Sequence, residues 1–252
     1  MDNQNKYLTE MLITQEVSRC LLCYDPPCSK ACPAGTDPAK FIQSLRFRNF
    51  KGAQETAIIN NPLSSVCSVS CSHKYCEGAC IRKKIDRAIE IQKIHEYLTE
   101  DSCKINFNGN KRTVGVCAKG IFTPIIAGEL AQNGYTVILF GKQSIIDEFS
   151  KYEEYISRDL LHLEQLGVVL KNQVINKGDI IDSIKEGVFD AFVTDEAIDY
   201  QGVVIIPEEK VVEGEIVIAV KKGKELSQKI LRKFEKDVFV KENVVVEEEV
   251  AL

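Results

Sequence analysis

"RCLLCYDPPCSKACP", residues 19–33, places Cys20, Cys23, Cys28 and Cys32 within fifteen residues and ends on a proline. The spacing is C-x2-C-x4-C-x3-C-P. A second set follows in "SSVCSVSCSHKYCEGAC", residues 64–80, with Cys67, Cys71, Cys76 and Cys80 spaced C-x3-C-x4-C-x3-C. Eight of the ten cysteines therefore lie between Cys20 and Cys80. Thiols grouped so tightly share metal centres, serve as disulfides, or do both in turn.

Composition narrows the choice. The chain has 252 residues, 44% hydrophobic and 27% charged, the mixture of a globular protein of one large domain or two ordinary ones. The opening "MDNQNKYLTE" is polar and lacks the apolar centre of a signal peptide, and no apolar run reaches membrane-span length. The expectation is a cytoplasmic protein without a membrane association, and in that reducing compartment clustered cysteines are metal ligands. Residues 1–105 carry 14 Lys and Arg against 12 Asp and Glu, whereas residues 106–252 carry 18 against 25. The acidic second half, ending "VVVEEEVAL", argues against a nucleic-acid partner, because phosphate binding wants the opposite sign.

The two halves also differ in pattern. Residues 6–22 read as a helix leading into the first cysteines. Asp37 or Thr36 can cap a helix with Pro38 in its first turn, and Phe41, Ile42, Leu45 and Phe50 form its apolar side. A second short helix stops at Asn61-Pro62, and Ile91, Ile94, His95 and Leu98 form one helical stripe. "NFNGNKR", residues 106–112, breaks this pattern and marks the boundary between domains at 1–105 and 112–252. Beyond it, "TVGVCAKG", "YTVILFG", "VVLKN" and "FDAFVT" read as buried strands, with helices in "TPIIAGELAQNG" and "KYEEYISRDLLHLEQLG". Alternating strands and helices signal a parallel sheet. "GVVIIP" and "GEIVIA" also look strand-like, ahead of a closing helix "AVKKGKELSQKILRKF".

Cys20 and Cys23 can aim both sulfurs at one centre, and the x3-C-P ending resembles the bacterial ferredoxin run, whose last cysteine serves the other cluster of a two-cluster protein. Eight thiols suffice for two cubane clusters. Zinc is the rival, since C-x2-C is also a zinc-knuckle element and His73 lies inside the second set; the ferredoxin-like ending favours iron and sulfur.

The stretch "EVSRCLLCYDPPCSKACPAGTDPAKFIQSLRFRNFKGAQETAIINNPLSSVC" resembles the N-terminal dicluster domain of the glutamate synthase small subunit, which also occurs in dihydropyrimidine dehydrogenase and related NADPH–ferredoxin oxidoreductases. "RCLLC", "PPC", "ACPAGTDPAKFI" and "NNPLSSVC" match in order and spacing. The resemblance implies an all-α domain with two [4Fe–4S] clusters whose ligands interleave. It assigns Cys20, Cys23, Cys28 and Cys80 to one cluster, and Cys32, Cys71 and Cys76 to the other, with Cys67 matching a cysteine that is not a ligand. The family's fourth ligand to the second cluster is a Gln or Glu on the following helix, and His95 stands at the matching position. Glu96 and Cys67 are the alternatives. His73 reads as a loop surface residue, His162 as a helix-face residue, and Cys103 and Cys117 as ordinary thiols.

In that family a flavin-binding Rossmann domain follows, with a nicotinamide domain inserted into it. The second half resembles the flavin domain with its chemistry removed. A dinucleotide turn needs G-x-G-x-x-G, but Ala118, Gly120 and Thr123 occupy the three positions. Gly141 stands where an acid would bind ribose hydroxyls, and Asp195-Glu196 replace the Ala-Thr-Gly turn. The inserted domain is missing. The fold expected is thus an α+β two-domain chain, a helical iron–sulfur domain followed by a reduced Rossmann-like α/β domain that holds no FAD. The function expected is an electron-transfer subunit, relaying electrons through two [4Fe–4S] clusters to or from a catalytic flavoprotein partner in a hetero-oligomer. A self-contained FAD and iron–sulfur oxidoreductase, or a non-redox structural module, are the alternatives.

Overall fold

The computed structural model describes residues 10–72, 74–100, 112–212, 214–235 and 244–245. The chain forms two compact units. The first comprises Met1–Cys103 with Glu154–His162 and Val212–Lys221, so it reaches past the boundary read from the sequence. The second comprises Lys104–Glu153, Leu163–Val211 and Lys222–Leu252.

Short helices build the first unit: α1 (Glu10–Ser18), α2 (Pro27–Ala31), α3 (Pro38–Arg46), α4 (Phe50–Ile59), α5 (Ser64–Ser70), α6 (Cys76–Ala79) and α7 (Ile91–Leu98). Of the two caps the sequence allowed for α3, Asp37 is the one used, accepting from the Lys40 N–H, and Pro38 opens the helix. Asn49 caps α4 by accepting from the Gly52 N–H at 3.0 Å. The apolar stripes of α1, α3, α4 and α7 meet in one core, with Ile13, Val17, Phe41, Ile42, Leu45, Ala57, Ile94 and Leu98 buried. Met11 and Leu12, the other apolar residues of α1, are exposed.

The second unit is a parallel sheet. Its strands are β1 (Thr113–Cys117), β2 (Thr136–Phe140), β3 (Val169–Lys171), β4 (Ala191–Thr194), β5 (Val203–Ile205) and the two-residue β6 (Val244–Val245). They lie in the order β3-β2-β1-β4-β5-β6, every neighbouring pair parallel. This is the doubly wound order, with the switch of direction beside β1. Between strands run α8 (Phe122–Gln132), α9 (Lys142–Glu148), α10 (Glu153–Gln165) and α11 (Lys177–Lys185), and α12 (Ile216–Glu235) precedes β6. Gly115 of β1 pairs with Phe192 of β4, and a Cβ there would lie 2.2 Å from the Phe192 ring, so the glycine makes room for it. Phe192 packs with Phe140 and Phe189 in the core of this sheet.

"GEIVIA" is not a strand. Its Ile216, Val217 and Val220 are buried and continue in step with Leu226, Ile230 and Phe234 along α12. Spacings of three and four override the β preference of the Ile-Val-Ile run. Helices α9 and α11 carry weak stripes and had no counterpart in the sequence reading.

One buried acid ties the helical unit together. Glu16 on α1, 6% exposed, accepts hydrogen bonds from Arg19, from Arg87 and from the Glu90 N–H. Burial pushes its carboxyl up, but these donors outweigh burial and hold it below the ordinary value of 4.5. A carboxyl lowered by folding stabilises the fold at every pH above its unfolded value, and the gain disappears as pH falls through the folded value. Thermal unfolding of the full chain is therefore expected to be flat with pH down to about 5 for this group and to drop below it. Glu16→Gln should lower stability by about 2–4 kcal/mol at pH 7 and remove part of that acid sensitivity. An unchanged midpoint in the variant would show that the clamp carries no stability.

Candidate metal centre

The eight clustered thiols sort around two separate spaces. Cys20 and Cys23 lie in the turn after α1, where Leu22 takes a left-handed conformation (φ 50°) that bends the chain between them. Cys28 is on α2 and Cys80 directly follows α6. These four, with Leu21, Leu22, Tyr24, Ile81 and Arg82, line a cavity of about 320 Å³. A water molecule's share of liquid volume is about 30 Å³, so the space suits a polyatomic group. The Cys20 carbonyl accepts from Arg46 at 2.7 Å, which fixes the first loop against α3.

Cys32 follows α2, Cys71 follows α5, and Cys76 opens α6. With Cys67, Gln92, His95, Phe41 and Asn61 they line a tighter space of about 40 Å³. The electrostatics repeat the partition. Burial pushes the Cys28 thiol up to about 11, and Cys20 and Cys80 reinforce the shift. Burial pushes Cys76 up to about 12, and among its neighbours Cys71 and Cys32 add to the rise. Cys67 is raised by burial and further by Asp159, Cys71 and Cys32, against a hydrogen bond to Asn61. Held as free thiols these groups stay neutral; a bound cation compensates the buried charge of the thiolates. Among the described residues no three His, Cys, Asp or Glu side chains gather closely enough to hold a single metal ion.

His95 faces the second space from α7, half-buried and stacked on Phe41 with ring centroids 5.8 Å apart. Burial drives its ring down to about 4, so it is neutral at physiological pH. The Ser64 hydroxyl gives its single proton to the Ala57 carbonyl at 2.7 Å. The same hydroxyl lies 2.7 Å from His95 Nε2 and anchors that edge of the ring. Glu96 does not line this space, and its carboxylate accepts from Tyr155. Cys67 does line it, beside the three cysteines assigned to the second cluster.

Two residues were missed in the sequence. Gln92, one turn before His95, lines the same space, and its Nε2 donates to the Cys71 carbonyl at 3.2 Å. Asp159 of α10, 1% exposed, accepts from the N–H groups of Ser65 at 2.7 Å and Val66 at 3.0 Å. It thereby holds the first turn of the helix that bears Cys67. Spacing along α7 could have flagged Gln92, but no local signal marks Asp159. His162 is buried, its Nδ1 3.8 Å from Asp159. Cys117 ends β1, apart from both spaces. His73 and Cys103 lie outside the described residues.

The dinucleotide elements of the second unit depart from the flavin-binding fingerprint. Gly141, in the left-handed conformation at the head of α9, offers no carboxylate to a ribose. Thr123 turns its hydroxyl back to donate to the Ala118 carbonyl at 3.0 Å. Between β4 and α12, residues 195–215 hold only the short β5 among those described.

Sulfur-lined spaces on short helices, with a doubly wound sheet in the same chain, are the marks of an iron–sulfur protein of modular build. Residues 1–107 match the family model for dihydropyrimidine dehydrogenase domain II, 4Fe-4S cluster, and this segment is similar to the iron–sulfur domains of that family. It is 32% identical over 204 residues to the NAD-dependent dihydropyrimidine dehydrogenase subunit PreT of Escherichia coli O157:H7, covering 73% of this chain and 49% of that protein. Over 196 residues it is 33% identical to the subunit PreT of Escherichia coli strain K12, covering 70% and 47%. Over 186 residues it is 35% identical to the Salmonella typhimurium LT2 subunit PreT, covering 68% and 45%. The chain thus spans about half the length of the curated relatives it matches. Among the described residues no helix is long and apolar enough to cross a membrane.

Asp159→Ala leaves two buried N–H groups of α5 without acceptors. The expected loss is about 2–4 kcal/mol, read as a lower unfolding midpoint of the cluster-loaded chain. A midpoint within about half a kcal/mol of wild type would show that α5 does not depend on this cap.

Proposed function

We propose that this chain is the electron-transfer, iron–sulfur subunit of a hetero-oligomeric cytoplasmic oxidoreductase whose catalytic partner is a flavoprotein. Cys20, Cys23, Cys28 and Cys80 hold one [4Fe–4S] cluster; Cys32, Cys71, Cys76 and His95 hold the other. Each bound cluster supplies a one-electron redox centre. The observation that carries this reading is the partition of the thiols: Cys80 returns to the space lined by Cys20, Cys23 and Cys28, while Cys32 leaves it for Cys71 and Cys76. The first cavity has the room, and the second has the donors. The neutral His95 ring, anchored through Nε2 beside Ser64, lines the second space with Cys32, Cys71 and Cys76 and would supply a ring nitrogen as the fourth donor. The relatives named as subunits of an NAD-dependent dihydropyrimidine dehydrogenase support a partner that supplies the substrate site. The short connection from β4 to α12 leaves no space for a nicotinamide domain there, which supports a chain that depends on that partner for NAD(P)H.

One observation favours a second assignment of the last ligand. Gln92 lines the same space as His95, and its amide nitrogen is anchored on Cys71, leaving its carbonyl oxygen to be offered instead.

The test uses the full chain purified anaerobically. About eight iron atoms per chain are expected, and Cys28→Ser should remove roughly half of them, as one cubane of four irons is lost. The dithionite-reduced protein should show nitrogen coupling by pulsed electron paramagnetic resonance, lost in His95→Gln and kept in Gln92→Ala. Coupling absent from the wild type would transfer the ligand role to Gln92. Without a partner, NADH or NADPH should not reduce viologen through this chain; robust turnover would sink the relay reading.

A further inference from the structure

A Rossmann turn binds a dinucleotide by aiming backbone N–H groups at the pyrophosphate from the start of the first helix, where the helix dipole also favours an anion. In this chain those donors already have partners. The Lys119 N–H donates to the Asp195 carboxylate at 3.2 Å, and the Gly120 N–H donates to the Glu148 carboxylate at 2.8 Å. The Ile121 N–H donates to the Glu209 carbonyl at 2.9 Å. These acceptors come from three places in the second unit: the end of α9, the turn after β4, and the segment that follows β5.

Gly120 shows how close the approach is. It is left-handed, with φ +89°, and a Cβ built on it would lie 2.3 Å from the Glu209 carbonyl oxygen. The surviving glycine of the fingerprint thus does what such a glycine does for a pyrophosphate, but the backbone it admits belongs to this chain. The Thr123 hydroxyl at the head of α8 is turned inward and donates to the Ala118 carbonyl.

We infer that the dinucleotide cradle is closed by the chain's own anions: Asp195, Glu148 and the Glu209 carbonyl stand in for the pyrophosphate, and the sheet takes no FAD, NAD or ADP. The closure is electrostatic as well as steric. An incoming pyrophosphate would meet carboxylates where it needs donors, and it would have to displace the Glu209 backbone from Gly120. Burial pushes the Glu148 carboxyl up, the Gly120 N–H opposes this, and Glu208 and Asp195 raise it further, so the acids crowd one helix N-terminus.

Amide hydrogen exchange of the peptide spanning residues 118–123 tests the closure in the full, cluster-loaded chain. Slow exchange is expected without ligand, and it should not change with about 1 mM ADP, FAD or NADH, the range of weak binding. Glu148→Gln and Asp195→Asn should each speed exchange of that peptide by about tenfold or more, because a charge-assisted acceptor is weakened. Fast exchange in the wild type that slows on adding ADP or FAD would overturn the inference, as would stoichiometric FAD retained through purification. Unchanged exchange in both variants would equally reject the two acids as the plug. None of these outcomes bears on the iron content, so the relay reading stands or falls separately.

Discussion

The helical unit depends on closing Cys76 and Cys80 back onto Cys28 and Cys32. The elements that carry them are α2, of five residues, and α6, of four, which pack against each other. Helices of that length do not persist in water on their own, since nucleation fixes several residues before any propagation repays it. The core formed by α1, α3, α4 and α7 positions the two pieces, and burial raises the Cys28 and Cys76 thiols so that they stay neutral. A bound metal centre makes folding free energy available where the helices themselves have little, as in small metal-dependent domains. The order of the chain then has a physical sense: one short helix serves both spaces, because Cys28 and Cys32, four residues apart on α2 and its end, look into different cavities.

Much of this was legible in the sequence because the ligand pattern is local. Spacing alone pointed to thiols that share centres; the interleaved grouping was implied only by the resemblance, since Cys80 and Cys20 line one space only once the chain has folded. The caps and stripes of α3, α4 and α7 were readable for the same local reason. Asp159 was not. It lies 94 residues from Ser65, on a helix that reads as part of the other domain, and nothing near it distinguishes it from a solvated acid. Gln92 was passed over because the resemblance matched His95, one turn further along the same helix, to the family's ligand position.

The second half shows the opposite balance. β1, β2 and β4 were legible as continuous apolar runs, the mark of strands covered on both faces. The order around β1 follows from right-handed crossovers once those runs are parallel. α9 and α11 were not legible, because short helices with few buried residues leave little periodicity; α11 buries only Ile180. The misread "GEIVIA" shows propensity yielding to context: β-branched residues accept helical geometry when the following turns continue the same buried stripe.

A sheet that keeps its topology while its nucleotide turn is altered still has to satisfy the turn. Three backbone N–H groups at the head of a helix cannot be left bare in a partly buried place without a cost comparable to a lost hydrogen bond each. When glycines and the ribose acid are replaced, the donors remain, and some acceptor must meet them. Glu148, Asp195 and the Glu209 carbonyl do so here. The acids that would repel a nucleotide are therefore also the acceptors that satisfy the turn between β1 and α8. On the closure inferred above, erosion of the fingerprint and retention of the Rossmann order are one adaptation: the place of the nucleotide's anion is taken from within the chain.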